Sequence, residues 1–354
     1  MSLYATVRPL LFKLPAETAH GLGKRAMALE QTNGLTRWAV RRTCRYRNPM
    51  LEVELFDRTF PNPLGVAAGF DKNGEVTDCL EDLGFGFTEV GTVTPYPQPG
   101  NDRPRLFRLP EDDSMINRLG FNSQGADRVK ERLAKRGTPD VPMGVNIGKM
   151  NTSSESESIE DYRRVFDRLY DFPDYFVVNV SCPNTPEEFE EDDPEHVETI
   201  FETLDAENEA DKPILVKLGP DSTAEAMAEL VNLVESVGFD GIVATNTSTD
   251  HSTLTGEHRD EWGGVSGRPI ADVATDTVRT LASQTDLPIV GVGGIRDAED
   301  AYAKIRAGAS LVQLYTGFVY EGPGTARAIN RGLVELLRRD GFDSVEEAVG
   351  VDID

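Results

Sequence analysis

From about residue 64 the chain repeats one pattern: a short apolar, β-branched run, a polar or glycine-rich end, then an amphipathic stretch. The runs are PLGVAAGF, FGFTEVGT, VPMGVNIG, YFVVNVSC, PILVKLGP, DGIVATNT, LPIVGVGG and ASLVQLYT, eight in all. Between most of them lie helical periodicities, for example over 159–170, 224–237 and 298–307. Strands this continuously apolar are buried on both faces, and eight βα units predict a closed (β/α)8 TIM barrel of the α/β class. A doubly wound sheet would show fewer strands and one dominant phosphate loop near its start.

Polar side chains gather where these runs stop: Lys72, Thr92, Asn146, Asn179, Lys217, Thr245, Asn246, Gly294 and Thr316. In a barrel those strand ends form the active-site face. Two insertions interrupt the repeat. RPRLFRLPEDDSMINRLGFNS predicts a β-rich excursion over the barrel mouth, and PNTPEEFEEDDPEH a polar lid loop.

The first 45 or so residues read as a separate helical unit. Ala19, Leu22, Ala26 and Leu29 make a narrow apolar stripe. Arg37, Arg41 and Arg45 make a basic stripe beside Leu35 and Trp38. Such helices could simply pack on the barrel. Charge favours a membrane-surface module: residues 1–49 hold nine basic and two acidic side chains, against 27 and 59 in the rest of a chain of net charge −25. The expected divisions are therefore 1–45 as helical extension, 46–340 as barrel and 341–354 as an acidic tail.

The acidic excess, with only nine lysines beside 27 arginines, fits a salt-rich cytosol in which counterions screen self-repulsion. It argues against nucleic acid as a partner. No apolar run approaches the roughly 18 residues needed to span a bilayer, and the start lacks a signal peptide's pattern. The three cysteines, Cys44, Cys79 and Cys182, show no metal-ligand spacing, so no metal is expected. His196, His251 and His258 read as surface residues.

The segment GVGGIRDAEDAYAKIRAGASLVQLYTG supplies strand-end glycines whose backbone N–H groups can approach a phosphate, as recurs after strands seven and eight of such barrels. With LFKLPAETAH, NPLGVAAGFDKNGE, EVGTVTPYPQPGNDRPRLFRL, INRLGFNS, NVSCPNTP, ATNT, GGVSGRPI and LVQLYTGF, in that order, the chain resembles the dihydroorotate dehydrogenases. It is most similar to their class 2, membrane-associated branch, from about residue 8 to 330.

The resemblance implies bound FMN, held by Ala68, Gly69, Lys72, Thr92, Asn146, Asn179, Lys217, Thr245, Gly267, Gly294, Tyr315 and Thr316. Lys217 would stabilise charge on the reduced flavin. Dihydroorotate and orotate would lie among Lys72, Asn117, Arg118, Leu119, Gly120, Phe121, Asn179, Asn184, Asn246 and Thr247, since each amide offers both donor and acceptor. Cys182 stands at the base position, which would take the C5 proton while a hydride leaves C6. The class 2 pattern has serine there and class 1 has cysteine. His20, Arg108 and Tyr315 match the quinone tunnel. The resemblance thus implies a peripheral enzyme on the cytoplasmic side of the cell membrane that reduces a membrane quinone. A soluble class 1-like enzyme using fumarate or NAD, and a non-catalytic membrane flavoprotein, are the alternatives. A dihydrouridine synthase would need a basic face for tRNA.

Overall fold

The computed structural model describes residues 3–180 and 194–353. Its eight parallel strands are β1 (Leu64–Asp71), β2 (Phe87–Val93), β3 (Met143–Ile147), β4 (Tyr175–Asn179), β5 (Ile214–Leu218), β6 (Gly241–Ala244), β7 (Ile289–Val292) and β8 (Ala309–Leu314). Each pairs with the next, and β8 closes on β1 to complete the barrel. Every apolar run in the sequence is therefore a barrel strand. Alternation fails along them for a physical reason: β2, β3, β4, β5 and β6 are buried at every position, between helices outside and side chains inside.

The excursion after β2 forms as expected. Leu106–Leu109 and Ser114–Asn117 pair antiparallel, and Gly264–Gly267, arriving after β6, adds a third strand. Phe107, Leu109, Ile116, Leu254, Val265 and Ile270 give this sheet its own small core. It roofs the mouth of the barrel. The loop before its third strand is fastened down by Asp112, which accepts from Thr255 N (3.0 Å) and Gly256 N (2.9 Å).

The segment expected as an acidic tail is folded against the body. Val345 and Ala348 are fully buried, Val345 N donates to Met50 O (2.7 Å), and Asp352 pairs with Arg306 at 2.5 Å. Its acids read as a tail because its apolar residues are few and widely spaced.

The amino-terminal unit has three helices, α1 (Leu3–Leu11), α2 (Ala16–Glu30) and α3 (Gly34–Cys44), with Asn33 capping α3 through Leu35 N (2.8 Å). None is long and apolar enough to cross a membrane. The basic stripe does not face outward, as a lipid-binding role required. Arg37, Arg41 and Arg45 converge on Asp82, whose side chain is fully buried at the end of α4 (Thr77–Asp82), and Arg41 and Arg45 also reach Glu81. The stripe is the docking face. On α2, Lys24 pairs with buried Asp71 (3.1 Å) and with Glu75, and Gln31 donates to Glu75 O (2.6 Å). On α1, Tyr4 donates to Val319 O and Arg8 to Tyr320 O.

The apolar stripe faces the other way. Leu22 and Leu29, with Val7, Leu10, Leu14, Leu35 and Trp38, stand among the exposed large hydrophobic residues, Leu29 at 72% and Trp38 at 63%.

Candidate active site

The carboxyl ends of the strands open into a cavity beneath the three-stranded roof. It gathers most of the residues expected from sequence. Ala68, Gly69, Lys72, Thr92, Asn179, Lys217, Thr245, Gly267, Gly294, Tyr315 and Thr316 line it, and so do Asn117, Leu119, Gly120, Phe121, Asn246 and Thr247. The register explains part of this convergence, for it sets Asn179 on β4 opposite Lys217 on β5. Cys182 and Asn184 lie outside the described residues.

One end of the cavity is built for a close backbone approach. Gly267 (φ +95°) and Gly294 (φ +74°) occupy backbone conformations that side chains rarely adopt. A Cβ at Gly267 would meet Asp113 O at 2.4 Å, and one at Gly294 would meet Ala271 Cα at 2.2 Å. Thr316 hydroxyl and Ser266 Oγ are 2.8 Å apart beside them. Behind this end, Arg296 pairs with Asp113 and with Glu321 (2.9 Å). Backbone N–H groups at such a place suit a phosphate.

The middle of the cavity offers paired charge and amide groups: Lys217 and Lys72, with Asn117, Asn179 and Asn246. Thr247 Oγ1 is buried there without a hydrogen-bond partner among the described residues. A buried orphan hydroxyl is costly unless a ligand completes it. These features fit a phosphorylated flavin with a planar, amide-rich substrate beside it.

Two expected residues stand elsewhere. Asn146 lies one layer below the floor, fully buried, accepting from Thr92 Oγ1 (2.6 Å) and donating to Glu89 Oε1 (2.8 Å). Arg118 turns away from its cavity-lining neighbours Asn117 and Leu119. It pairs with Glu261 (2.8 Å) and lies over the rings of Phe107 and Trp262. That position fastens the roof rather than touching a ligand.

The sequence reading also missed part of the lining. Leu106, Met115, Ser266, Ile270, Val292, Gly293 and Ile295 face the cavity. Ser266 and Ile270 sat within GGVSGRPI, but their direction depends on the third roof strand, which the sequence reading did not foresee.

The cavity reaches the amino-terminal unit through its own wall. Tyr315 lines it and stacks with His20 of α2 (ring centroids 6.3 Å, interplanar 12°), while Phe70 packs edge-on against both rings. Burial, and then the neighbouring Lys24, push the His20 pKa down to about 4, so its ring is neutral near pH 7. Burial likewise raises the Tyr315 hydroxyl well above its ordinary range. Arg108 is anchored on the turn after α1, donating to Leu11 O, Phe12 O and Leu14 O with its guanidinium over the Phe12 ring.

The remaining histidines are not free surface groups. His196 bonds Ser158 Oγ (2.9 Å), His251 bonds Gly263 O (2.8 Å), and His258 packs on Phe107. His196 joins two helices, and His251 and His258 hold the loop after β6. Among the described residues no cluster could hold a metal ion.

Comparison with known proteins agrees with this geometry. Residues 50–337 match the family model described as dihydroorotate dehydrogenase. The chain is 55% identical over 354 residues to "Dihydroorotate dehydrogenase (quinone)" of Natronomonas pharaonis, covering 100% of both chains. It is 52% identical to the protein of that name from Halobacterium salinarum, covering 99% of this chain and 100% of the relative. Both come from halophilic archaea, in keeping with the acidic composition. The crystal structure of DHODH in complex with ferulenol from Eimeria tenella superposes with a TM-score of 0.81 at 35% identity, covering 91% of this chain and 95% of that one. The chain belongs to the dihydroorotate dehydrogenase family.

Proposed function

We propose that the chain oxidises dihydroorotate to orotate in pyrimidine biosynthesis, with FMN as its flavin and a membrane quinone as final acceptor. The observation that carries this reading is one cavity at the strand ends, where a glycine-lined phosphate end, Lys217, Lys72 and three asparagines converge. The full-length relatives named for quinone support the acceptor over fumarate or NAD.

FMN, when bound, supplies the site that accepts a hydride, and with it the reaction's two electrons. Gly267, Gly294 and Thr316 would hold its phosphate, and Lys217 would sit by the ring edge where negative charge grows on reduction. Lys72 would face the substrate carboxylate. Asn117, Asn179, Asn246 and Thr247 would complete the hydrogen bonds of the planar ring, with Asn184, outside the described residues, as a fourth amide. Cys182, also outside them, would take the substrate's C5 proton. A thiol has an ordinary pKa of about 8.5, near enough to neutral pH for a base at moderate cost.

His20, Arg108 and Tyr315 would border the quinone site. There the neutral ring of His20 and the stacked Tyr315 connect α2 to the cavity wall. The exposed leucines and Trp38 of the amino-terminal unit would seat it on the cytoplasmic face of the cell membrane.

The test is stopped-flow reduction of the flavin by dihydroorotate, followed by reoxidation with a soluble quinone, fumarate or NAD. Cys182→Ala should slow reduction by about 100-fold or more while flavin and orotate still bind. Reduction at the wild-type rate in that variant rules out Cys182 as the base, and equal reoxidation by fumarate or NAD rules out quinone as the particular acceptor.

A further inference from the structure

Beneath the cavity floor a carboxylate is sealed inside the barrel. Glu89, on β2, is 1% exposed. Its Oε1 accepts from Asn146 Nδ2 at 2.8 Å and its Oε2 from Gln313 Nε2 at 2.7 Å. Burying a carboxyl group among amides is costly, so its retention calls for a role beyond filling space.

The hydrogen bonds give that role a direction. A carboxylate can only accept, whereas an amide can present either end and a hydroxyl can both donate and accept. With Glu89 accepting, Asn146 must turn its Nδ2 downward, which leaves its Oδ1 facing Thr92. The Thr92 hydroxyl then donates to Asn146 Oδ1 (2.6 Å). Having spent its hydrogen, the Thr92 oxygen receives Asn179 Nδ2 (3.1 Å). Asn179 Oδ1 is thereby directed toward Asn246 Nδ2 (3.4 Å), and Asn246 Oδ1 accepts from Thr247 N (2.9 Å). Thr92, Asn179, Asn246 and Thr247 all line the cavity; Glu89 does not.

We propose that Glu89 is a positioning residue for the reaction: it fixes which end of the Asn179 amide faces the substrate by starting a one-way chain of hydrogen bonds through Asn146 and Thr92. A group at position 89 that could also donate would let Asn146, Thr92 and Asn179 reverse, while Asn246 stays set by the Thr247 N–H. Asn179 would then turn the opposite end of its amide toward Asn246 and the substrate. This inference rests on reading the cavity as the dihydroorotate site.

The test compares the wild-type holoenzyme with Glu89→Gln, Asn146→Asp and the double variant, titrating orotate and following the flavin absorbance, with denaturant unfolding alongside. Glu89→Gln should weaken orotate binding by about tenfold, the size expected of one misdirected hydrogen bond. Asn146→Asp alone places two carboxylates face to face and should bind worse than wild type as well. In the double variant the new amide at position 89 can accept from Gln313 and donate to the new carboxylate at position 146, which still accepts the Thr92 hydroxyl. Polarity beyond Thr92 is restored, so orotate affinity should return to within about threefold of wild type, whatever happens to stability.

Rescue of affinity in the double variant supports the proposal even if Glu89→Gln alone fails to fold. Unchanged orotate affinity in Glu89→Gln overturns it, and so does a double variant that binds no better than Glu89→Gln or does not fold. Failure of the wild type to reduce its flavin with dihydroorotate would instead overturn the assigned reaction.

Discussion

The barrel and the amino-terminal helices are held together by different forces. Barrel strands β2 to β6 are buried at every position, and their stability comes from apolar packing. Among the described residues α2 and α3 bury no residue completely; Met27, Ala28 and Val40 pack only partly buried against the core, and charge adds the rest of the fastening. Three arginines meet Asp82 and Glu81, and Lys24 meets Asp71 and Glu75. The difference teaches how one chain can present an apolar surface without collapsing it into the core. Charged contacts take the inner face of the helices, leaving Leu22, Leu29 and Trp38 outward.

Removing the acid under the clamp should separate the two regions most sharply. Asp82 is fully buried and faced by Arg37, Arg41 and Arg45. In Asp82→Ala, Arg41 and Arg45 keep Glu81 while Arg37 loses its ion pair, and docking should weaken by about 2 kcal/mol or more, a roughly 30-fold rise in opening. Limited proteolysis before residue 48 should accelerate accordingly, and quinone turnover should fall with it. Flavin reduction by dihydroorotate should stay within about twofold, because the residues lining the cavity all lie beyond residue 64. If proteolysis is unchanged, or the barrel's unfolding midpoint falls as far as the clamp's, the two regions are one cooperative unit and the comparison fails.

The same contrast governs what could be read from the sequence. Barrel strands were legible because burial on both faces leaves an apolar run, and their ends were legible because polar groups and glycines cluster there. The arginine stripe was legible as a stripe, yet its partner was not. Spacing on a helix gives a face, while Asp82, some forty residues on, supplies the reason for it. Arg118 was misplaced for a local cause: at a strand end successive side chains point to opposite sides, so Asn117 and Leu119 face the cavity and Arg118 the roof. Asn146 was found by residue type but not by depth, because its place below the floor follows from Glu89 and Gln313, which stood within the quoted motifs with no role assigned to them. The acidic carboxyl end hid Val345 and Ala348 behind its charge.

The outward face can be tested without touching the clamp. Leu29 and Trp38 make exposed apolar surface, so Leu29→Glu or Trp38→Glu removes little packing. Each should lower affinity for anionic liposomes by about tenfold, the worth of one partly inserted apolar side chain. Denaturation midpoint and flavin reduction should not move. Co-sedimentation across salt concentrations measures this, and the loss should persist at high salt, since screening weakens basic contacts but not apolar burial. Undiminished liposome binding in both variants would remove the membrane role from this face.

The smallest effect sits at the joint between the regions, in the ring of His20. It packs between Phe70 and Tyr315, with Lys24 on its own helix and Asp71 and Glu17 nearby. Burial and Lys24 outweigh the two acids, and the docked pKa falls to about 4 against an ordinary 6.5. Released from the barrel, α2 would return the ring to its ordinary value. Between pH 6.5 and 4 the undocked state therefore binds a proton that the docked state does not, and docking weakens as pH falls through that window. Above pH 6.5 both states are neutral and the histidine contributes no slope. Because the ring keeps some contact with solvent, the loss by pH 4.5 should be about 1 kcal/mol, well short of the full shift. Proteolysis of the amino-terminal unit should accordingly speed up several-fold from pH 7 to 4.5 in the wild type. His20→Phe keeps an aromatic ring against Phe70 and Tyr315 but cannot take up a proton, so its profile should be flatter over the same range. An equally steep profile in that variant would place the acid sensitivity elsewhere than in this ring.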